Sequence, residues 1–231
     1  MTAQWISIKS AGGGEYGAYL SLPPAGKGPG LILFQEIFGV NEHIRAVADQ
    51  YALDGYVVLT PDIFWRQAPR VELGYEGDDM KKAIDLKNGL PLAIALDDIV
   101  TSITALRKRP EVVGKIGAFG YCMGGRFAYL SAAKGLVDSA VSFYGGGIQD
   151  NLDLASNIQC PLQFHYAEQD HAISLDAVEK VRTALASKQT EFHIYAGAGH
   201  GFNCWARAAY HQPSAVLAHG RTLLHFAKTL G

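Results

Sequence analysis

The chain has 231 residues, 48% of them hydrophobic and 18% charged, and its 20 Lys and Arg against 22 Asp and Glu leave a formal net charge of -2. That length supports one well-buried core, the near-neutral balance excludes both a disordered chain and a dedicated nucleic-acid binder, and the longest near-apolar run, Leu90 to Leu96, is far short of the roughly 18–20 residues of a membrane span. Three cysteines build no disulfide framework and leave at least one thiol free, and Met1 to Trp5 carries neither a basic nor an apolar leader region, so the expected home is a reducing cytoplasm.

Along the chain, Trp5–Lys9 and Tyr16–Leu22 flank Gly12-Gly13-Gly14 and predict an antiparallel hairpin at a sheet edge. Short β-rich runs follow at Leu31–Phe34, Tyr56–Leu59, Lys115–Phe119, Ala140–Tyr144, Leu162–Tyr166 and Phe192–Tyr195, and read as buried parallel strands. Between them, apolar residues return at three- and four-residue spacing and predict helices over 43–54, 92–108, 123–134, 174–187 and 207–228. The polar, aperiodic stretch 66–88 reads as an excursion over the surface. Such alternation predicts an α/β fold, a mostly parallel central sheet with helices on both faces and ligands at the carboxyl ends of the strands. No compositional break divides the chain, so residues 1–231 are expected to form a single domain.

Gly120-Tyr121-Cys122-Met123-Gly124 follows one predicted strand and opens the next helix, a G-x-C-x-G pattern. A nucleophile on such a turn sits in strained backbone, and glycines two residues either side let strand and helix pack closely. The helix N-terminus favours a thiolate, and the Met123 amide is placed to hold an oxyanion. A packed core cysteine would explain the thiol but not the glycines on both sides. A thiol nucleophile needs a base, and the base an orienting acid. Asp170 and His200 each follow a later strand, and the order Cys122, Asp170, His200 is that of an α/β-hydrolase. His171 competes for the base role, but it neighbours Asp170 on one loop, which favours His200.

These segments, with Gln35-Glu36-Ile37-Phe38-Gly39-Val40-Asn41, Thr60-Pro61-Asp62, Tyr144-Gly145-Gly146-Gly147 and Ala198-Gly199-His200-Gly201-Phe202, make the chain resemble the dienelactone hydrolases, also called carboxymethylenebutenolidases. The resemblance spans nearly the whole chain. It implies an α/β-hydrolase fold and a Cys122, Asp170, His200 triad cleaving an enol lactone or small activated ester through an acyl-thioester. It also implies an oxyanion hole from the amides of Met123 and Ile37, and a Glu36 that takes part in turning the Cys122 thiol into thiolate when substrate binds.

The chain departs from the family where two arginines are expected to hold a substrate carboxylate. Cys204 stands four residues after His200, with Arg207 a turn later, and the upstream position falls near Met80, Lys81 and Lys82. Lys81 and Arg207 are therefore candidate substrate cations, and Phe38, Trp65, Tyr144 and Phe202 candidate walls of the substrate pocket. A metal site joining Asp170, His200 and Cys204 lacks a paired ligand set, and the glycines of 120–125 do not make a dinucleotide loop. No metal and no cofactor are expected; the partner is a small-molecule ester or lactone, with no nucleic acid or membrane, and the chain a monomer or small homo-oligomer. The rival readings are a carboxylesterase or thioesterase of unrelated substrate on the same scaffold, and a non-catalytic binding or redox-sensing protein that uses Cys122.

Overall fold

Strands β1 (Thr2–Lys9) and β2 (Glu15–Leu22) form the predicted hairpin, paired from Thr2 opposite Leu22 to Lys9 opposite Glu15. Gly13 and Gly14, at φ 90° and 84°, supply the left-handed turn between them, which only glycine adopts freely. The computed structural model describes residues 1–231, which divide into two compact units, Met1–Ile116 and Gly117–Gly231.

In the first unit the strand order is β1-β2-β4-β3, with β3 (Gly28–Phe34) parallel to β4 (Val57–Pro61) and β2 antiparallel to both of its neighbours. Every residue of β4 is buried, as expected where a strand is covered on both faces. Helices α1 (Glu42–Leu53) and α3 (Leu92–Arg107) both pack on it. Asn41 caps α1, its Oδ1 accepting from the Ile44 amide at 3.2 Å. Asp98, on the buried face of α3, gathers the Trp65 indole N–H (2.8 Å), the Arg66 guanidinium (3.1 Å) and the Ser10 hydroxyl (2.9 Å). One buried carboxylate thereby ties the hairpin turn and the segment after β4 to the helix.

The expected surface excursion at 66–88 contains a helix, α2 (Gly77–Asn88). Only Ala83 and Leu86 of it are buried, so the apolar period that marks a helix is too sparse to read. Asp78 and Asp79 in its first turn and Lys87 in its last suit the helix dipole.

Strand β5 (Val112–Tyr121) runs into the second unit, where it starts a fully parallel series, β5-β6-β7-β8, completed by β6 (Ser139–Phe143), β7 (Leu162–Ala167) and β8 (Thr190–Tyr195). Between them lie α4 (Met123–Ala133), a 3-10 segment kinked at Asn151 (Ile148–Asn157) and α5 (Leu175–Ala184), and α6 (Gln212–Leu230) ends the chain. The last helix starts later than the predicted 207, because Pro213 is tolerated only in a first turn and residues 201–211 form tight turns instead.

A polar seam joins β6, β7 and β8 to α6. The His165 ring meets the Tyr195 hydroxyl at 2.8 Å, Gln163 at 2.9 Å and Thr222 at 3.0 Å, while Ser139 meets His225 at 2.8 Å. Full burial drives the His165 pKa well below the usual histidine value, so the ring is neutral. No single helix of the chain is long and apolar enough to cross a membrane.

Candidate active site

Cys122 stands between the last residue of β5 and the first of α4, at φ 53° and ψ -114°. A non-glycine residue holds such a conformation only where its surroundings enforce it. The enforcement is local. The Cys122 amide donates to the Phe143 carbonyl of β6 at 3.0 Å, while its own carbonyl accepts the amides of Gly125 and Arg126 at 3.0 and 3.3 Å. The flanking glycines are required by space: a Cβ on Gly120 would lie 2.4 Å from the Gly124 carbonyl oxygen, and one on Gly125 would lie 2.7 Å from that of Phe143. The thiol therefore sits partly exposed at the head of a helix whose first amides point outward.

Asp170 lies in the turn after β7, with its side chain only 1% exposed. Its Oδ1 accepts the amides of Ala172 and Ile173 at 2.8 and 3.1 Å, which fixes the carboxylate and leaves Oδ2 free to accept from His200 Nδ1 at 2.8 Å. His200, in the turn that follows β8, is 8% exposed. With Nδ1 on Asp170, its other ring nitrogen serves the hydrogen bond with the Cys122 side chain. Burial is the largest influence on this ring and opposes its charge. The hydrogen bonds with Asp170 and Cys122, reinforced by their charges, outweigh burial and raise the pKa from 6.5 to about 10. His171 does not take the Asp170 carboxylate; its exposed ring stands edge-on to His200 at 5.8 Å between centroids.

The structure thus brings Cys122, Asp170 and His200 together within the second unit. Met123 opens α4 directly after the thiol. Tyr144 is fully buried behind His200, their centroids 5.1 Å apart, and Phe202 packs on Tyr144 at 5.3 Å and on Tyr195 at 5.0 Å. The Arg207 guanidinium lies over Gly201, the residue after His200, where a Cβ would come within 2.6 Å of it. Of the other cysteines, Cys204 is fully buried and Cys160 is pushed up to about 11 by burial; neither forms a disulfide.

The remaining candidates belong to the first unit. Glu36 is buried in the turn that follows β3, with Ile37 partly exposed beside it. Phe38 packs edge-on against Tyr75 at 4.6 Å, and Gly39, at φ 82°, lies so close to Val71 that a Cβ would overlap its carbonyl oxygen. Asn41 completes this lock by donating to the Leu73 carbonyl and the Tyr75 hydroxyl, each at 3.0 Å. Trp65 is committed to Asp98 and stacks on Tyr16 at 5.3 Å. Lys81 is 78% exposed on α2 and pairs with Asp78 at 2.9 Å. No cluster of three or more His, Cys, Asp or Glu side chains is assembled that could hold a metal ion. The amides of Ala172 and Ile173 are functional groups that residue types do not advertise; an Asp two residues before an amide it can accept, the Asx-turn pattern, is the signal that would have found them.

Helix-clothed parallel strands, a strained cysteine turn between strand and helix, and an Asp–His pair after two later strands define an α/β-hydrolase, and comparison with solved structures shows the same fold. The structure of a Klebsiella pneumoniae protein assigned to the dienelactone hydrolases superposes with a TM-score of 0.88, at 31% identity and 98% coverage of both chains. A promiscuous phosphotriesterase from metagenomic libraries, dienelactone hydrolase-like, shares the fold at a TM-score of 0.85 and 20% identity. The family model for dienelactone hydrolases matches residues 16–230. A carboxymethylenebutenolidase of Pseudomonas putida is 33% identical over 225 residues, 96% of this chain and 95% of that one, and one from Pseudomonas sp. strain P51 is 32% identical over the same length. The chain belongs to the dienelactone hydrolase family, hydrolases that act on ester and lactone bonds.

Proposed function

We propose that the chain hydrolyses a small activated ester or enol lactone through Cys122, by way of an acyl-thioester. The observation that carries this reading is the arrangement of His200: Nδ1 held at 2.8 Å by a carboxylate fixed by two amides, and the opposite edge hydrogen-bonded to a thiol on a strained helix-opening turn. In the first half-reaction the proton is already held by His200, and the Cys122 sulfur attacks the substrate carbonyl. The Met123 amide at the head of α4 donates to the developing oxyanion. The C–O bond then breaks, and the departing enolate or alkoxide takes the proton from His200. In the second half, His200 removes a proton from water, the hydroxide attacks the thioester, and the acid leaves as the thiolate is restored.

The nucleophile selects the substrate. A thiolate is a better leaving group than an amide nitrogen, so a tetrahedral adduct on a peptide collapses back, whereas activated esters, enol lactones and thioesters go forward. Arg207, over the residue that follows His200, gives this reading a cation suited to a substrate carboxylate.

The test is turnover of p-nitrophenyl acetate by wild type, Cys122→Ala and His200→Ala, with mass spectrometry of the quenched wild type. Both variants are expected to lose turnover by 10³-fold or more, on the order of other triads, and the quenched enzyme to carry one acetyl group on Cys122. Turnover by Cys122→Ala at the wild-type rate, or acylation elsewhere, would overturn the reading.

A further inference from the structure

Tyr144 directly follows β6 at φ 36°, in backbone that a bulky L-residue adopts only under constraint. The three residues after it are Gly145, Gly146 and Gly147, any of which accepts a positive φ without strain, and Gly147 does so at 82°. The chain therefore carries a strained conformation on a tyrosine directly beside residues that could have relieved it. The backbone around it is fixed from two sides. The Tyr144 amide donates to the His165 carbonyl of β7 at 2.7 Å, and the Phe143 carbonyl accepts the Cys122 amide at 3.0 Å.

What the strain achieves is the placement of a ring. The Tyr144 ring, wholly buried, meets the His200 imidazole edge-on at 5.1 Å and 61°, and meets Phe202, two residues further along the same turn, at 5.3 Å and 69°. His200 is otherwise held through its two ring nitrogens, by Asp170 and by Cys122, and two such hydrogen bonds leave the plane of the imidazole able to rock about the line between them. An aromatic ring packed against its flank removes this freedom.

We propose that Tyr144 is a positioning residue, whose ring fixes the plane of His200 so that the imidazole stays turned toward Cys122. The proposal rests on the reading of His200 as the base. Because the ring is sealed from solvent it acts through His200 rather than by touching substrate, so its loss is felt in kcat rather than KM.

The experiment compares wild type, Tyr144→Phe, Tyr144→Leu and His200→Ala, measuring kcat and KM for p-nitrophenyl acetate and the pH profile of Cys122 alkylation by iodoacetamide. Tyr144→Leu is expected to lower kcat by about 10- to 100-fold, the scale of an ångström-sized misplacement, with KM changed less than about threefold and the alkylation profile displaced. Tyr144→Phe keeps the ring, and both its kcat and its profile should stay close to wild type. A merely space-filling role would lower the melting temperature of Tyr144→Leu and leave the profile in place. Should the leucine variant fail to fold, Tyr144→Met, which fills the space with a flexible chain, makes the same comparison.

Two results overturn the proposal: a folded leucine or methionine variant with wild-type kcat and profile, or a phenylalanine variant as impaired as the leucine one. If His200→Ala itself turns over like wild type, the reading of the triad falls as well. If His200→Ala is inactive while Tyr144→Leu is unimpaired, the positioning role alone falls.

Discussion

Replacing Gly120 by alanine adds one methyl carbon 2.4 Å from the carbonyl oxygen of Gly124 and 2.9 Å from its Cα. Ordinary van der Waals contact begins near 3.4 Å, so strand and helix must part by about 1 Å, and both atoms met are backbone that cannot rotate away. Gly120 is not among the positive-φ residues, so alanine suits its backbone and only the space is tested. A compatible Gly→Ala change raises stability by about 0.4–1 kcal/mol through the unfolded chain, whereas overpacking costs about 1–3 kcal/mol, toward the upper end where nothing can yield. The expected net loss of about 2 kcal/mol lowers the melting temperature by about 4–8 °C in a chain of this size. Because the parting moves the turn that carries Cys122, turnover should fall on the order of 100-fold at temperatures where the variant is fully folded. Circular dichroism melting and p-nitrophenyl acetate turnover read the two effects. An unchanged or raised melting temperature with full activity would refute the claim that these glycines exist to let β5 and α4 approach.

The raised pKa of His200 links stability to pH. Its folded-state value of about 10 exceeds the ordinary 6.5, so the stability it contributes is fully present below pH 6.5 and fades as pH rises toward 10. Denaturant unfolding of wild type and His200→Gln should therefore show a gap that narrows between pH 6 and 10, and a constant or widening gap would contradict the assigned proton. Asp98→Ala removes the acceptor shared by Trp65, Arg66 and Ser10; with the guanidinium partly solvent-screened, the expected cost is about 2–4 kcal/mol, read as a drop in the urea midpoint. Arg207→Met should raise KM about 10- to 100-fold for an ester bearing a free carboxylate and leave a neutral ester unaffected, and an equal effect on both substrates would remove the arginine from substrate recognition.

The parts of the fold that bury most were the most legible. Val57–Pro61 is covered on both faces and opens on the continuous apolar run Val57-Val58-Leu59, and in the equally buried Leu162–Ala167 the alternate residues Leu162, Phe164 and Tyr166 carry the signal. The helix at Gly77–Asn88 was not legible, because with two buried residues its sequence obeys solvent rather than packing. The start of α6 was misplaced because Ala208, Ala209 and Tyr210 look helical while the tight turns that follow His200 hold them otherwise.

At the site, Cys122 announces itself because the close approach of strand and helix demands glycine on either side of it. Choosing between His171 and His200 needed only the argument that neighbours on one loop diverge, and the Asp170 carboxylate does meet the later histidine. Tyr144 was legible only as an aromatic residue near a motif: its buried place behind His200 depends on a backbone angle that no residue-type pattern encodes. The hydrogen bond of Trp65 was no more legible, since its partner Asp98 lies 33 positions on.

The three thiols differ in a way that has a practical reach. Cys204 has no exposed surface, and the proton of Cys160 is held to about pH 11. Near neutrality this leaves Cys122 as the thiol that an electrophile consumes, one equivalent per chain. The molecule thus supplies its own standard: the amount of reagent taken up counts free Cys122 thiols directly, so the concentration of protein with that thiol intact can be fixed before any substrate is known.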